Sequence, residues 1–319
     1  MPDGPAVAAT TRTRLRRVGS SDLTVFPLAM SGNVFGWTTD GPTTEAILDV
    51  YAAGGGNFID TADSYASGRS EFMIGSWMRS RGNRDDLVVA TKIGKSVDHP
   101  GLGARAITRA VNASLERLRT DRIDLLYLHV DDSEVPFDET LLAVDALIGA
   151  GKVRYFGGSD HTGDRLIEAR IACGQLGVAP MIALQNRYNL MHRAEYEGDL
   201  ARVARSQELG VMPRFALASG FLTGKYRSRA DLDEGTRGTE VARYLTKRGM
   251  RVLASLDHIA AAHEVPVASV ALAWLLSKPY VVAPVASASQ PSQVAALLQA
   301  PTVQLTRAQV AELDRISAV

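Results

Sequence analysis

Cysteine is almost absent from this chain, because Cys173 is the single one among 319 residues. No disulfide can therefore join two parts of the chain. Charge of one sign is not in excess either, since 35 Lys and Arg residues balance 35 Asp and Glu residues. Without a net charge the chain has no broad field that would attract nucleic acid, polyanions or an anionic membrane surface. The composition therefore predicts neither a nucleic-acid partner nor a disulfide-rich scaffold.

Long hydrophobic runs and a glycine-rich nucleotide turn are also missing. No stretch approaches the roughly 18 consecutive apolar residues of a membrane-spanning helix. Residues 1–17 lack the continuous apolar segment of a signal peptide, so we expect a cytoplasmic protein without a membrane partner. No Gly-x-Gly-x-x-Gly follows a predicted strand, which argues against a Rossmann-type site. Residues 1–12, rich in Ala, Pro and Thr, are expected to be flexible.

Short apolar segments alternate with amphipathic ones along the chain. Apolar runs predict strands near residues 27–32, 58, 88, 125, 153–157, 181–184, 211–215 and 281–285. Helical spacing predicts helices near residues 43–53, 70–80, 104–118, 138–150, 164–176, 195–208, 250–263 and 306–317. Strands that alternate with helices form parallel sheets, so eight units predict an α/β fold, the (β/α)8 TIM barrel, as one domain over residues 1–319. An open doubly wound sheet is the competing fold.

Other local patterns complete the predicted fold. Residues 14–18 and 23–25 flank a polar turn and predict an N-terminal β-hairpin. Thr43 or Thr44 is expected to cap the first helix, and Thr306 the last. Residues 219–249 carry glycines and charges and predict a long loop, a feature that is more often a functional lid than a connector.

Polar side chains follow three successive predicted strands. Asp60 and Tyr65 follow the second barrel strand, Lys92 ends the third and His129 ends the fourth. The carboxyl ends of parallel strands meet at one rim of a barrel, where catalytic residues of such folds lie. A phenol is a poor proton donor near pH 7 unless a charged or polar neighbour assists it. The pattern therefore predicts proton-transfer chemistry at this rim.

The chain resembles the aldo-keto reductase family over roughly residues 14–298. The resemblance lies in the segments 58–62, 91–92, 126–129, 158–159, 185–189 and 217–226, together with Tyr65, Gly68, Ser70 and Glu71. It implies a barrel whose floor is plugged by the hairpin. It also implies an oxidoreductase that reduces a small aldehyde or ketone to an alcohol with hydride from a nicotinamide cofactor.

The resemblance assigns a role to each of the four rim residues. Tyr65 is the implied general acid, and Lys92 is expected to lower the pKa of its phenol. Asp60 is expected to hold Lys92 in place, and His129 to orient the carbonyl oxygen of the substrate. The residues also allow a structural interpretation, in which Asp60 and Lys92 form an ion pair and the two rings are packing residues.

The same resemblance implies contacts to the nicotinamide end of the cofactor. Ser159, Asp160 and Gln185 lie where the family binds the carboxamide, although Asp160 replaces the usual Asn. Arg214 lies where the family usually has an aromatic residue that stacks on the ring. A guanidinium can stack on a ring, but its charge is unfavourable beside an oxidised nicotinamide. Phe215 is expected on the opposite side of a regular strand.

Further positions match the phosphate and adenosine regions of the family. For the pyrophosphate they are Leu217, Ser219, Gly220 and Lys225. For the ribose phosphate they are Arg237, Ser287, Ser289 and Gln293, since the basic residue often found in that loop is absent. The resemblance favours NADPH, with NADH as an alternative.

The substrate and its pocket are less well defined by the sequence. Trp37 follows the first barrel strand and is the best candidate for the substrate pocket, unless it closes the edge of the barrel. Nothing in the sequence indicates which carbonyl compound is the natural substrate. The sequence also allows a homo-oligomer.

Two other functional classes compete with the reductase. The scaffold also resembles cytoplasmic β-subunits of potassium channels, which bind a nicotinamide cofactor and act mainly as partners or sensors. A metal-dependent barrel hydrolase with His129, Asp131 and Asp132 is the third hypothesis. It is weakened because the first strand has no His-x-His, and our prediction for this chain is no metal.

Overall fold

Eight parallel strands form the centre of the computed structural model, which describes residues 13–232 and 236–318. The strands are β3 (Ala29–Ser31), β4 (Phe58–Asp60), β5 (Val88–Ile93), β6 (Ile123–Leu128), β7 (Val153–Ser159), β8 (Ala183–Gln185), β9 (Gly210–Val211) and β10 (Val285–Ala286). Their order is β10-β3-β4-β5-β6-β7-β8-β9. The sheet closes into a barrel where β9 meets the segment just before β10. The Val282 amide donates to the Val211 carbonyl at 2.8 Å, and Val281 pairs with Val211. The (β/α)8 barrel predicted from the sequence is thus confirmed.

An antiparallel hairpin, β1 (Arg16–Arg17) and β2 (Thr24–Val25), lies against the amino ends of the strands. Asn57, directly before β4, donates to the Thr24 carbonyl at 3.1 Å and accepts from the Phe26 amide at 2.7 Å. Val18, Leu23 and Val25 of this hairpin region are buried and belong to the cluster inside the barrel. The hairpin therefore fills the floor, opposite the rim where the strands end.

Helices surround the barrel, and further helices pack on this layer. They are α1 (Gly41–Ala53), α2 (Arg69–Arg81), α3 (Ala104–Leu118), α4 (Phe137–Gly149), α5 (Gly163–Leu176), α6 (Asp199–Ser206), α7 (Thr236–Ala242), α8 (Lys247–His263), α9 (Val267–Leu276), α10 (Pro291–Gln299) and α11 (Arg307–Ile316). Among the described helices no single one is long and apolar enough to span a membrane. Helices α8 and α9 reach that length and composition only together, across a bend of 96°.

Several boundaries differ from the prediction for local reasons. Helix α1 begins earlier than expected because Asp40, not Thr43 or Thr44, is its N-cap and accepts from the Thr43 amide at 2.9 Å. The cap of α11 is Thr306, as predicted, within a capping box.

The last predicted strands and the long loop also differ. Strand β9 ends at Val211 because Pro213 has no amide to donate and Phe215 is left-handed at φ 52°. Residues 219–249 are not one continuous loop, since they contain short 3₁₀ helices, α7 and the start of α8. The predicted flexible segment 1–12 lies outside the described residues.

Tyr51 on α1 ties the helical layer to two barrel strands. Its hydroxyl lies 2.6 Å from the carbonyl of Leu28 and 2.9 Å from that of Phe58, and it accepts from the Phe58 amide at 3.1 Å. The ring has room because residue 56 is glycine, where a Cβ atom would lie 2.3 Å from the ring. One buried phenol thus completes the backbone hydrogen bonds at the start of β4.

Tyr51→Phe is expected to lower the free energy of unfolding by about 1–3 kcal/mol, because it leaves the buried Phe58 amide without an acceptor. Urea unfolding followed by circular dichroism measures this change. Tyr280→Phe is the matched control, since that side chain is 42% exposed, and it should change stability by less than about 0.5 kcal/mol. Equal stability of both variants would contradict the role of the Tyr51 hydroxyl.

Candidate active site

The carboxyl ends of the strands bring the predicted rim residues together. Asp60 is the last residue of β4, Lys92 lies near the end of β5, and His129 follows β6 directly. Tyr65 begins a tight turn after β4 in which Ala66 and Ser67 have positive φ. These four residues, far apart in sequence, meet at the rim opposite the floor hairpin.

Lys92 is fully buried and lies at the centre of this group. Its Nζ atom is 2.8 and 2.7 Å from the two carboxylate oxygens of Asp60 and 2.8 Å from the Thr61 carbonyl. Burial by itself lowers the pKa of Lys92, but the buried Asp60 carboxylate outweighs it and the pKa is raised. The side chain is therefore an ammonium whose hydrogen bonds are satisfied.

The Tyr65 hydroxyl lies 3.5 Å from Lys92 Nζ. Burial raises the pKa of Tyr65 above its usual value, and Lys92 opposes this shift. Lys92 thus lowers the pKa of the phenol as expected, but the desolvation of a phenolate is the larger effect and leaves the pKa above its usual value. Tyr65 is a protonated phenol at neutral pH and has a proton to donate.

His129 forms the opposite side of the group. Its ring centroid is 6.2 Å from that of Tyr65, and the two rings are nearly perpendicular. Burial and the positive charges of Lys92, Lys95 and Arg214 lower the pKa of His129 to about 2. The imidazole is therefore neutral, which leaves one ring N–H as a donor and one nitrogen as an acceptor.

Ser159 and Gln185, at the ends of β7 and β8, have the donors and acceptors that a carboxamide needs. The Ser159 hydroxyl is buried and has no hydrogen-bond partner within residues 13–232 and 236–318. Gln185 is buried, and its Nε2 atom donates to Asp60 Oδ1 at 2.8 Å, which leaves its carbonyl oxygen as an acceptor. Since buried polar groups are nearly always paired, these residues fit an amide-bearing ligand such as a nicotinamide.

Asp160 and Arg214, both unusual for the resembled family, bind each other. Arg214 Nε and Nη2 lie 3.0 and 2.7 Å from Asp160 Oδ1, and Nη2 lies 2.8 Å from Oδ2. Lys95 Nζ approaches the same carboxylate at 3.7 Å. Phe215 was expected on the opposite side of a regular strand from Arg214, but β9 has already ended at Val211. The Phe215 ring instead lies 4.9 Å from the Arg214 guanidinium, and the residue is 42% exposed.

The positions predicted for the cofactor phosphates lie in loops after β9. The segment after Leu217 is a 3₁₀ helix in which Ala218, Ser219 and Gly220 all have positive φ. Lys225 is exposed, and its Nζ lies 4.7 Å from the Tyr226 ring centroid. A tightly wound loop followed by a lysine is compatible with an anionic ligand.

The adenosine-end positions lie after β10 and in the long insertion. The amide and hydroxyl of Ser289 lie 2.8 and 3.3 Å from Gln293 Oε1. Ser287 lies two residues before Ser289, between the end of β10 and the start of α10. Arg237 belongs to α7, but its side chain lies outside the described residues.

Trp37 lies on the loop after β3, at the same end of the barrel, and is 58% exposed. This position leaves the indole at the surface of the rim, so it does not close the edge of the barrel as a buried residue. The predicted substrate contact stays a prediction.

The two aspartates of the metal-site hypothesis have other partners. Both carboxylate oxygens of Asp131 accept from Arg165 Nε at 2.9 Å, and Asp132 accepts from the Leu102 amide at 2.8 Å. In the part of the chain that the structure describes, no three His, Cys, Asp or Glu side chains are close enough to hold a metal ion.

Lys95 and the Thr61 carbonyl contribute to the site although they were not predicted. Lys95 could have been suspected because it follows Lys92 by three residues at the end of a strand. Asp63 is 2% exposed, and both of its carboxylate oxygens are shielded from water. Burial and the charge of Glu71 raise the pKa of Asp63 to about 7.

A phenol, an ammonium, a carboxylate and a neutral imidazole thus meet at the carboxyl-end mouth of a (β/α)8 barrel, where the active sites of enzymes with this fold lie. The model of the Aldo/keto reductase family matches residues 29–318, and the chain belongs to this family.

Curated relatives of this chain carry the names of enzymes and of channel subunits. An aryl-alcohol dehydrogenase of Pestalotiopsis microspora is 31% identical over 99% of this chain and 84% of its own length. A probable voltage-gated potassium channel subunit beta of Arabidopsis thaliana is 32% identical over 88% of each chain. Norsolorinic acid reductase B of Aspergillus parasiticus is 32% identical over 86% of this chain and 77% of its own.

Asp63→Asn is expected to stabilise the protein more at pH 8 than at pH 4.5. Because the folded pKa of Asp63 lies above the unfolded value of about 4, the folded state holds an extra proton between about pH 4 and pH 7. The contribution of Asp63 to the free energy of unfolding of the wild-type protein therefore falls as the pH rises from about 4 to about 7. A difference of about three pKa units at about 1.4 kcal/mol each predicts a gain of about 4 kcal/mol for the variant at pH 8.

Chemical unfolding at pH 4.5 and pH 8 measures the difference between variant and wild type. Asp121→Asn serves as the control, because that side chain is 89% exposed and its substitution should give nearly the same small change at both pH values. A difference in stability between Asp63→Asn and wild type that does not depend on pH would contradict the raised pKa of Asp63.

Proposed function

We propose that this protein reduces an aldehyde or ketone to the alcohol, with Tyr65 as the proton donor. The supporting observation is the chain of contacts from Asp60 through Lys92 to Tyr65, at 2.7–2.8 Å and 3.5 Å. It holds one phenol at the mouth of the barrel beside a fixed positive charge.

A nicotinamide cofactor, when bound, supplies the hydride that becomes the new C–H bond of the alcohol. Ser159 and Gln185 would bind its carboxamide through a free hydroxyl and a free side-chain carbonyl. Because these groups lie at the ends of β7 and β8 beside Asp60, they would hold the ring at the rim near Tyr65.

The side chains at the rim control the proton. As the carbonyl oxygen gains negative charge, Tyr65 gives its hydroxyl proton to that oxygen and becomes a phenolate. The Lys92 ammonium then stabilises the phenolate, since opposite charges a few ångströms apart attract strongly in a site shielded from water. His129 is neutral and would donate a hydrogen bond that orients the carbonyl oxygen without adding a charge.

For the adenosine end we propose NADPH. Ser287 and Ser289 present hydroxyl groups just before α10, and the helix N-terminus adds backbone amides that favour a phosphate. Arg237 is proposed to add a positive charge, and Leu217, Ser219, Gly220 and Lys225 to bind the pyrophosphate. Residues 219–232 and 236–249 would then cover the cofactor. Tighter binding of NADH than of NADPH would overturn this choice of cofactor.

Tyr65→Phe should reduce kcat for carbonyl reduction by about 100-fold or more, because it removes only the proton donor. The dissociation constant of NADPH should stay within about threefold of wild type. Consumption of NADPH with an aldehyde such as nitrobenzaldehyde measures the first quantity, and quenching of tryptophan fluorescence the second. Tyr155→Phe is the control, since that tyrosine lies in β7 away from its carboxyl end. Equal losses of turnover and binding would show that Tyr65 has a structural role.

A regulatory protein with little turnover is the second candidate. The observation that favours it is the similarity to the potassium channel subunit beta of Arabidopsis thaliana. The two candidates differ in turnover: a reductase consumes NADPH when a panel of aldehydes and ketones is supplied. Tight binding of NADPH without consumption of any carbonyl compound in the panel would favour the regulatory function.

A further inference from the structure

The ion pair between Arg214 and Asp160 places fixed charges at the wall of the proposed nicotinamide site. Three short contacts hold the two side chains. Asp160 directly follows Ser159, whose buried hydroxyl has no hydrogen-bond partner among the described residues. The exposed fractions of the two side chains are 28% and 33%, so neither charge is fully screened by water. Asp160 places an anion where the resembled family has a neutral amide, and Arg214 places a cation where it has a neutral ring.

The charges that face this wall do not cancel. Arg214 and Lys95 contribute two positive charges, and Asp160 contributes one negative charge. Beneath them, Lys92 and Asp60 form a neutral pair, while the protonated Tyr65 and the uncharged imidazole of His129 contribute nothing. These groups therefore give the wall one net positive charge in the wild-type protein. Arg187, whose guanidinium lies 4.8 Å from the Phe215 ring that Arg214 also contacts, adds a positive charge that is the same in every variant and is left out of this count.

A nicotinamide ring changes its charge when it is oxidised. The reduced ring is neutral and the oxidised ring is positive, while the phosphates of the cofactor are the same in both forms. The field of the wall consequently affects the oxidised form more than the reduced one.

We propose that Arg214, Asp160 and Lys95 together set the relative affinity of this protein for the two redox forms, in favour of the reduced cofactor. The inference rests on the proposed function, because it takes the ring to lie at this wall. Arg214 is a specificity-determining residue whose position is fixed by Asp160. The bidentate contact prevents the guanidinium from swinging away when a cofactor enters.

Donor geometry explains how such a wall can still bind a carboxamide. The hydrogen bonds of Arg214 to Asp160 use Nε and Nη2, so Nη1 can donate to the carboxamide oxygen. The Asp160 carboxylate has further acceptor capacity for the carboxamide N–H group. The pair therefore combines the donor and the acceptor that one asparagine side chain would supply.

A series of four proteins tests the proposal by binding alone. The measured quantity is the ratio of the dissociation constants of NADP⁺ and NADPH, obtained by titration calorimetry and by fluorescence. The net charge of the wall is +1 in the wild-type protein, +2 in Asp160→Asn and 0 in Arg214→Gln. In the double variant the net charge is again +1. Changes that affect both redox forms equally cancel in the ratio.

We expect the ratio to rise about tenfold in Asp160→Asn and to fall about tenfold in Arg214→Gln. This magnitude corresponds to unit charges about 7 Å apart at an effective dielectric constant of about 40. The double variant should return to within about threefold of the wild-type ratio. A purely structural role of the ion pair would instead make the double variant resemble the single ones, because each substitution already breaks the pair.

Arg81→Gln is the matched control, because it removes another bidentate contact, to Asp49, far from the rim. It should leave the ratio unchanged. Equal ratios in all four proteins, or shifts of both single variants in the same direction, would overturn this inference and leave the proposed function standing. A wild-type protein that binds neither NADPH nor NADP⁺ would overturn both.

Discussion

A buried ion pair between Lys92 and Asp60 is the constraint on which the rest of the site depends. An ammonium and a carboxylate without exposure to water are costly unless each is fully paired. The pair meets this condition with two contacts to each other, the Thr61 carbonyl and the amide of Gln185. The same hydrogen bonds fix the ends of β4, β5 and β8 relative to one another. The phenol beside Lys92 is therefore held at the mouth by groups whose positions cannot shift independently.

The barrel makes this arrangement possible because every strand runs in the same direction. Side chains from the ends of β4, β5, β7 and β8 reach the rim, while the hairpin and the apolar interior fill the other end. Tyr51 and the other buried aromatic side chains fix the helices against the strands. The charged groups thus lie on buried strand ends, and the loops above them can vary without disturbing these groups.

Asp160 and Arg214 are two departures from the family pattern that depend on each other. Taken singly, an aspartate in place of an asparagine and an arginine in place of an aromatic residue each argue against binding of a nicotinamide. Together they form an ion pair that supplies both a donor and an acceptor. The remaining positive charge of Lys95 gives the wall a net field, and that field acts on the one part of the cofactor whose charge changes in the reaction.

The sequence by itself determined the alternation of strands and helices, because periodicity and caps are local properties. It predicted α3 over residues 104–118, the Thr306 cap and the order of the four rim residues. Only the tertiary structure decided the burial of Asp63 and the pairing of Arg214 with Asp160. It also decided that desolvation outweighs Lys92 in the pKa of Tyr65. These features depend on which strands become neighbours and on how much water each group loses, and neither quantity is a property of any short segment of the chain.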